Sequence, residues 1–266
     1  MIALSIVIVS YNAAADLARC LASLRDAPPA IDHEIVVVDN ASTEPVAPIA
    51  TAAGATIIAL PENRGFGRAN NVGIQASHGA LVLLLNPDTL VPAGAIDRLV
   101  SIMRDRPEVG ALGPRLVDGN GRVELSFGPM ISLAAERRQR RLMKGLAGGD
   151  AATVAAVATM TQHEQSPDWV SAACLMARRA DLDAIGGFDE RYFMYTEDVD
   201  LCASLRARGR RVLFTPAVEV VHLRGRSAAS APAATRRLYA RSHIAFYEKH
   251  HPWAAPLVRL YHAIVG

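Results

Sequence analysis

Residues 193–202 read Phe-Met-Tyr-Thr-Glu-Asp-Val-Asp-Leu-Cys and gather three carboxylates where a helix should begin. Thr196 stands at the expected N-cap, and Glu197, Asp198 and Asp200 fall in the positive field of the first turn. Leu201 and Leu205 give the four-residue apolar spacing, and Gly209 marks a stop. A carboxylate in that field is expected to stay ionised. Such a group can take the proton of a hydroxyl nucleophile, provided the chain also binds an electrophile and stabilises a leaving group.

Both provisions are present in outline. Residues 81–88, Leu-Val-Leu-Leu-Leu-Asn-Pro-Asp, form an apolar run of the kind buried on both faces of a parallel sheet, ending in Asn86 and Asp88. Pro87 cannot extend a strand ladder, so Asp88 should lie just beyond it, free to hold a divalent cation against phosphate oxygens. His222 closes the run 218–221 and completes a mixed oxygen and nitrogen donor set. With no second His or Cys beside it, that set suits Mn2+ or Mg2+ better than a zinc cage. Residues 5–12 end a strand in Ser10, Tyr11 and Asn12, where Tyr11 can stack on a nucleobase while Asp39 accepts from the ring N–H. Gly65-x-Gly67 lacks the third glycine of a dinucleotide fingerprint, Asn70 standing in its place, and no Gly-Lys-Ser/Thr phosphate loop occurs. Arg64, Arg68, Asn70 and Asn71 nevertheless make a polar loop fit for a diphosphate or sugar hydroxyls.

Elements must carry these groups, and the first half supplies them in alternation. Strands are predicted at 6–9, 34–38, 56–60 and 80–85, and helices at 16–25, 45–53, 67–77 and 93–104. Repeated βα units imply an α/β fold with a Rossmann-like, mostly parallel central sheet flanked by helices. The second half departs from this rhythm. A hairpin is expected at 114–124 around Asp118-Gly119-Asn120-Gly121, a strand at 169–178, and further strands at 212–214 and 219–222. The Ala/Gly/Thr-rich stretch 145–165 reads as a mobile loop or loosely packed helix, 224–234 as flexible, and a helical tail starts near Thr235.

With 266 residues, half of them hydrophobic, the chain can bury a full core. A net charge of +2 argues against nucleic acid as a partner. Cys20, Cys174 and Cys202 have neither metal-site nor disulfide spacing, which fits the cytosol, and no apolar run is long enough to span a membrane. Two stretches are basic and amphipathic: 137–144, and a tail that mixes Arg236, Arg237, Arg241, Lys249 and Arg259 with Tyr239, Phe246, Tyr247, Trp253 and Tyr261. That composition fits peripheral contact with an acidic membrane surface, the alternatives being a tail packed within the domain or across a homodimer interface.

Taken together, Ser10-Tyr11-Asn12, Val38-Asp39-Asn40-Ala41-Ser42, Asn63-Arg64-Gly65-Phe66-Gly67, Asn86-Pro87-Asp88-Thr89, Gly186-Gly187-Phe188-Asp189-Glu190 and Thr196-Glu197-Asp198-Val199-Asp200-Leu201 resemble the inverting family-2 glycosyltransferases, particularly the bacterial rhamnosyltransferase-like branch. The resemblance implies a GT-A domain over 1–226, with a nucleotide-sugar half at 1–112 and an acceptor and catalytic half at 113–226, followed by the tail at 227–266. It implies a dTDP- or UDP-linked sugar donor, rhamnose being the branch's sugar, a divalent cation, and a glycan or lipid-linked acceptor in cell-envelope polysaccharide synthesis. The enzyme would work in the cytoplasm or on the inner face of the membrane. By position, Ser10, Tyr11, Asn12, Asp39, Arg64, Arg68, Asn70, Asn86 and Asp88 would bind the donor, and Asp88 with His222 the metal. Asp198 would be the base, with Trp169, Glu197 and Asp200 on the acceptor side. Asn86 replaces the first aspartate of the family's Asp-x-Asp motif, leaving Asp88. The rival readings are a non-catalytic nucleotide-sugar-binding protein and a nucleotidyltransferase, although the latter lacks a glycine-rich triphosphate loop.

Overall fold

The computed structural model describes the backbone of residues 2–223 and 232–265, with side chains for 2–223 and 236–264. The first half alternates as expected: β1 (Leu4–Ser10), α1 (Ala14–Asp26), β2 (His33–Asp39), α2 (Val46–Ala52), β3 (Thr56–Ala59), α3 (Phe66–Ala76), β4 (Leu81–Leu85). It continues with β5 (Thr89–Leu90) and α4 (Ala95–Asp105). β1 shows why the sheet lies in the middle. Leu4, Ile6 and Ile8 enter one apolar layer with α1 and α4, while Val7 and Val9 join clusters on the other face, so both sides of the strand are buried.

The second half holds β6 (Val109–Val117), β7 (Phe127–Gly128), α5 (Leu133–Ala147), α6 (Ala151–Met160), β8 (Trp169–Val170), β9 (Cys174–Arg178), α7 (Arg179–Ile185), α8 (Glu197–Ala207) and β10 (Arg211–His222). Among the described residues the main sheet has eight strands in the order β3-β2-β1-β4-β9-β6-β10-β5. The pairs β1/β2, β1/β4, β2/β3 and β6/β10 are parallel, whereas β9 runs against both β4 and β6.

Several expectations are corrected here. The hairpin at 114–124 shrinks to an isolated bridge between Val117 and Val123, because β6 starts at Val109 and pairs along its length with β10. The strand at 169–178 is two strands, β8 joining β7 in a separate small sheet and β9 entering the main one. Residues 145–165, read as a loop or loose helix, contain the end of α5 and all of α6. Their starts are capped by Ser132, which accepts from the Ala135 N–H, and Asp150, which accepts from the Thr153 N–H. The strands expected at 212–214 and 219–222 are one strand, β10, with a register shift between Thr215 and Glu219. The flexible segment expected at 224–234 lies outside the described residues up to 231.

The expected tail is two helices, α9 (Pro232–His250) and α10 (Ala255–Val265), packed against the segment that holds Tyr192 and Val199. Phe246, Tyr247, Ala254, Ala255 and Val258 bury themselves with Tyr192 and Val199. Lys249 Nζ lies 2.8 Å from both Asp200 Oδ2 and Asp189 Oδ2, and His250 Nε2 lies 2.6 Å from Asp200 Oδ1. Ser242, His243, Phe246 and Tyr247 of α9 are thus part of the core around the carboxylate segment. Replacing Lys249 with Met should leave Asp200, only 1% exposed, short of a cation, and should cost about 2 kcal/mol in urea unfolding. That is below the usual loss for a broken buried pair because Lys249 is partly exposed and His250 and Tyr192 remain.

Candidate functional site

The parallel strands end on one side of the sheet. β1 brings Ser10 there, β2 Asp39, β4 the following Asn86, and β10 His222. β9 runs the other way, so its beginning, after Ala172 and Ala173, reaches the same edge. Those two alanines join the halves of the site. Asn86 N–H donates to the Ala173 carbonyl at 2.9 Å, and Ala172 N–H donates to Asp198 Oδ2 at 3.3 Å. A single short segment therefore holds the metal-side asparagine and the candidate base.

On the metal side, His222 Nε2 stands 3.2 Å from Asp88 Oδ1 and 3.4 Å from Asn86 Nδ2. Its other nitrogen, Nδ1, lies 3.1 Å from Glu124 Oε2. Glu124 was invisible to sequence reasoning, since only the pairing of β6 with β10 brings it behind His222. Burial opposes the imidazolium, but Asp88 and Glu124 outweigh it and push the His222 pKa up to about 9. Asn86 Oδ1 is buried and has no hydrogen-bond partner among the described residues. Asp88, the orphaned Asn86 oxygen and, once an entering cation displaces its Nε2 proton, His222 make a mixed set of donors fit for a hard cation, with Glu124 orienting the imidazole from behind. Among the described residues no group of three or more His, Cys, Asp and Glu could hold a metal by itself. A cation would complete its shell with water or donor phosphate oxygens.

Across the same edge, the segments after β1 and β2 form a pair of interlocked loops. Asn12 Oδ1 accepts from the N–H and hydroxyl of Thr43, Asn12 N–H donates to Ser42 Oγ, and Asp39 Oδ1 accepts from Ser42 N–H. Asn40 carries the lock onward, accepting from Arg64 N–H and donating to Asn63 Oδ1. Tyr11 is 42% exposed beside these loops. Among the described residues the only non-glycine positive φ angles are at Asn12, Ala41, Tyr195 and Thr196, all in loops of this site. Strained backbone persists where surrounding contacts over-determine it.

Two sequence-based assignments are corrected. Ser10 has no exposed surface, and Asn70 is 1% exposed with its amide turned back to the Phe66 carbonyl, so neither presents a surface to a donor. Arg68 is held by the carbonyl and carboxylate of Glu190, while Arg64 is paired more loosely, 3.7 Å from Glu62. Asn71 exchanges two hydrogen bonds with Phe188, and a Cβ on Gly187 would strike Asn71 Oδ1 at 2.4 Å, which explains Gly186-Gly187-Phe188 as packing.

The three acids separate sharply. Asp200 is expended on Tyr192, Lys249 and His250, which removes it from the acceptor side. Glu197 is 6% exposed, and its Oε2 has no hydrogen-bond partner among the described residues. Asp198 keeps partial exposure and accepts from Ala172 N–H and, at 2.9 Å, from Val199 N–H. Burial pushes both carboxyls up, Glu197 to about 8 with the charge of Asp198 adding to the effect, so the field of the helix start does not by itself keep these two groups at their ordinary carboxylate values. Thr196 stands at the expected N-cap position, its carbonyl accepting from Asp200 N–H, but its φ is +66° and its hydroxyl caps nothing, donating instead to the Ser242 carbonyl at 3.4 Å. Gly65 supports the same segment from the other side. Phe66 N–H donates to the Phe193 carbonyl at 2.9 Å, and a Cβ on Gly65 would lie 2.2 Å from that oxygen. Trp169 donates its indole N–H to the Pro129 carbonyl and remains partly exposed.

Comparison with known proteins gives this edge a context. Residues 5–162 match the family described as glycosyl transferase family 2. The chain is 32% identical over 270 residues to an N-acetylglucosaminyl-diphospho-decaprenol L-rhamnosyltransferase of Mycobacterium tuberculosis, covering 96% of this chain and 87% of that protein. It is 26% identical to a low-salt glycan biosynthesis hexosyltransferase of Haloferax volcanii, over 82% of this chain and 66% of the relative. A mannosyltransferase from Pyrobaculum calidifontis, solved with GDP-Man and Mn2+, superposes with a TM-score of 0.65 at 20% identity, over 96% of this chain and 68% of that one. The architecture is the GT-A fold.

Glu197 sets a pH dependence of stability. Its folded-state pKa lies above that of the unfolded chain, so the folded state binds the extra proton between about 4.5 and about 8, and stability falls as pH rises through that window. Melting temperatures of ligand-free protein should decline from pH 5 to pH 8, and Glu197→Gln should flatten the decline. A slope unchanged by the substitution would show that Glu197 is ionised in the folded protein.

Proposed function

The chain belongs to glycosyl transferase family 2, and on that premise we propose that it transfers a sugar with inversion from a nucleoside-diphosphate donor to a hydroxyl of a lipid-linked, N-acetylglucosamine-type acceptor. The end-to-end similarity to the mycobacterial rhamnosyltransferase supports rhamnose as the sugar and cell-envelope glycan synthesis as the setting. The observation that carries the mechanism is the Ala172-Ala173 bridge, which ties Asp198 and Asn86 to adjacent peptide units at one edge of the sheet.

In this reading Tyr11 and Asp39 receive the nucleobase, and Arg64 and Asn86 face the diphosphate. The acceptor lies on the Trp169 side of Asp198. Asp198 takes the proton of the acceptor hydroxyl as its oxygen bonds to the anomeric carbon, and the bond from that carbon to the phosphate oxygen breaks with both electrons leaving on the nucleoside diphosphate. A single displacement inverts the anomeric configuration. The elevated pKa of Asp198 makes its carboxylate a stronger base than an ordinary aspartate, and the Ala172 and Val199 N–H groups keep it aimed. A divalent cation, Mn2+ or Mg2+, held by Asp88 and His222 would neutralise charge on the departing diphosphate. Glu197 shares the acid pocket without the same aim, and Asp200 acts on Asp198 only through the packing of α8.

Asp198→Asn should leave donor binding nearly unchanged and lower turnover by ~10²–10⁴-fold, read by mass spectrometry of the glycosylated acceptor with dTDP-rhamnose as first donor. Turnover within a few-fold of the parent would pass the role to Glu197. Asp88→Ala and His222→Ala should each weaken Mn2+-dependent donor binding measured by calorimetry. Parent-like metal and donor binding by the His222 variant would make the histidine structural.

A further inference from the structure

Seven of the nine exposed large hydrophobic side chains among the described residues lie on α5, α10 and the turn before α10. They are Leu133, Met143, Trp253, Leu257, Leu260, Tyr261 and Ile264, with Trp253 and Ile264 about three-quarters exposed. The spacing 253, 257, 260, 264 puts four of them on one helical face. The opposite face, through Ala254, Ala255 and Val258, is already buried in the core. Helix α10 is thus apolar on both sides, and Leu257, Leu260 and Ile264 remain exposed on its outward one.

Beside this stripe lies a cationic helix. α5 carries Arg137, Arg138, Arg140, Arg141 and Lys144 against a single acid, Glu136. Glu136 is turned inward, with Oε1 2.6 Å from His243 Nε2 and Oε2 accepting from the Tyr247 hydroxyl at 2.9 Å, so the outward charge of α5 is positive. Arg140 binds the two helices together: its guanidinium donates to the Tyr261 hydroxyl at 3.0 Å and lies 5.5 Å from that ring's centroid. The tail's own Lys249 and Arg259 are consumed by Asp189, Asp200 and Glu248. The cations beside the apolar stripe of α10 are those of α5, while Arg236 and Arg241 add exposed charge on α9.

We propose that the joint face of α5 and α10 docks on an anionic lipid bilayer, which rests on the reading of a lipid-linked acceptor and supplies its missing partner. An apolar stripe flanked by cations matches acyl chains beneath anionic headgroups. A second copy of the chain fits less well, since two-fold pairing through this face would bring α5 cations toward one another. The face also lies directly behind the carboxylate segment. Ser242 of α9 accepts the Thr196 hydroxyl at its carbonyl and donates its own hydroxyl to the Met194 carbonyl at 2.7 Å. Tyr239 meets Tyr195 edge to face. Docking would therefore bring the acceptor side of the site toward lipid.

The test is sedimentation of the full chain with acceptor-free vesicles of mixed phosphatidylglycerol and phosphatidylcholine, and with phosphatidylcholine alone. Three proteins are compared: the parent, the triple variant Arg137→Gln, Arg141→Gln, Lys144→Gln, and the triple variant Trp253→Ser, Leu260→Ser, Ile264→Ser. The parent should bind anionic vesicles at low salt, and loss of three charges should weaken binding by roughly 100-fold. The apolar variant should lose the part of binding that survives high salt. All three should melt alike and hydrolyse donor alike in solution. No binding by the parent, binding by both variants equal to the parent, or a concentration-dependent dimer abolished by the apolar variant in place of vesicle binding would each overturn the proposal. Vesicle binding by a parent that turns over no donor would uphold the surface while removing the transfer reading beneath it.

Discussion

A carboxylate that is 1% exposed has to be answered inside the protein, and Asp200 is answered by Lys249, His250 and Tyr192. The consequence reaches across the catalytic half. Lys249 also holds Asp189, next to the Gly186-Gly187-Phe188 turn that packs on Asn71 of α3. Ser242, one to two turns earlier on α9, holds Met194 and Thr196. The loop carrying Tyr195 and Thr196 in left-handed backbone is thereby fixed by α9 on one side and by Gly65 and Phe66 on the other. The start of α8, and with it Asp198, inherits that fixity.

The same segment illustrates how adjacent acids acquire opposite chemistry. Glu197, Asp198 and Asp200 share one helix start and one dipole, worth at most about 2 kcal/mol to a charge there. Burial exceeds that contribution for Glu197 and Asp198, whose pKa values rise, whereas Asp200 is met by two basic side chains. A fixed and paired carboxylate, Asp200, therefore stands two residues from Asp198, whose proton affinity burial raises. The apolar outward face of α10 belongs to the same body, since its inward residues Ala255 and Val258 pack with Tyr192 and Val199 beside the acid segment.

The alternating half of the fold was legible because β1 to β4 and their helices follow single periodicities, and because ligand-facing residues sit where strands end. The edge positions of Tyr11, Asp39, Asn86, Asp88 and His222 could be read for that reason. The antiparallel β9 could not, since the apolar pattern from Trp169 to Arg178 runs through the change of sheet at Ser171–Ala173 without a break. Helices α5 and α6 were obscured by Ala- and Gly-rich composition, although Ser132 and the pair Asp150 and Thr153 were cap signals already present. Glu124 behind His222, and Lys249 and His250 around Asp200, are contacts over 49 to 98 residues, and only the fold brings such pairs together. The missing side-chain cap at Thr196 has the same origin: the residue holds the N-cap position expected of it, but its hydroxyl is drawn to the Ser242 carbonyl of α9.

The central claim is that a carboxylate whose proton affinity is raised by burial, Asp198 beside Glu197, removes the acceptor proton at the carboxyl edge of the sheet. The pH dependence of kcat/KM for sugar transfer by the parent protein, at saturating divalent cation, tests this most directly. The account predicts an acid limb whose apparent pKa lies well above the ordinary aspartate and glutamate range near 4, because the pair must give up a proton held by desolvation. A rate independent of pH from 5 to 8, with its only acid limb at or below about 4, would contradict it.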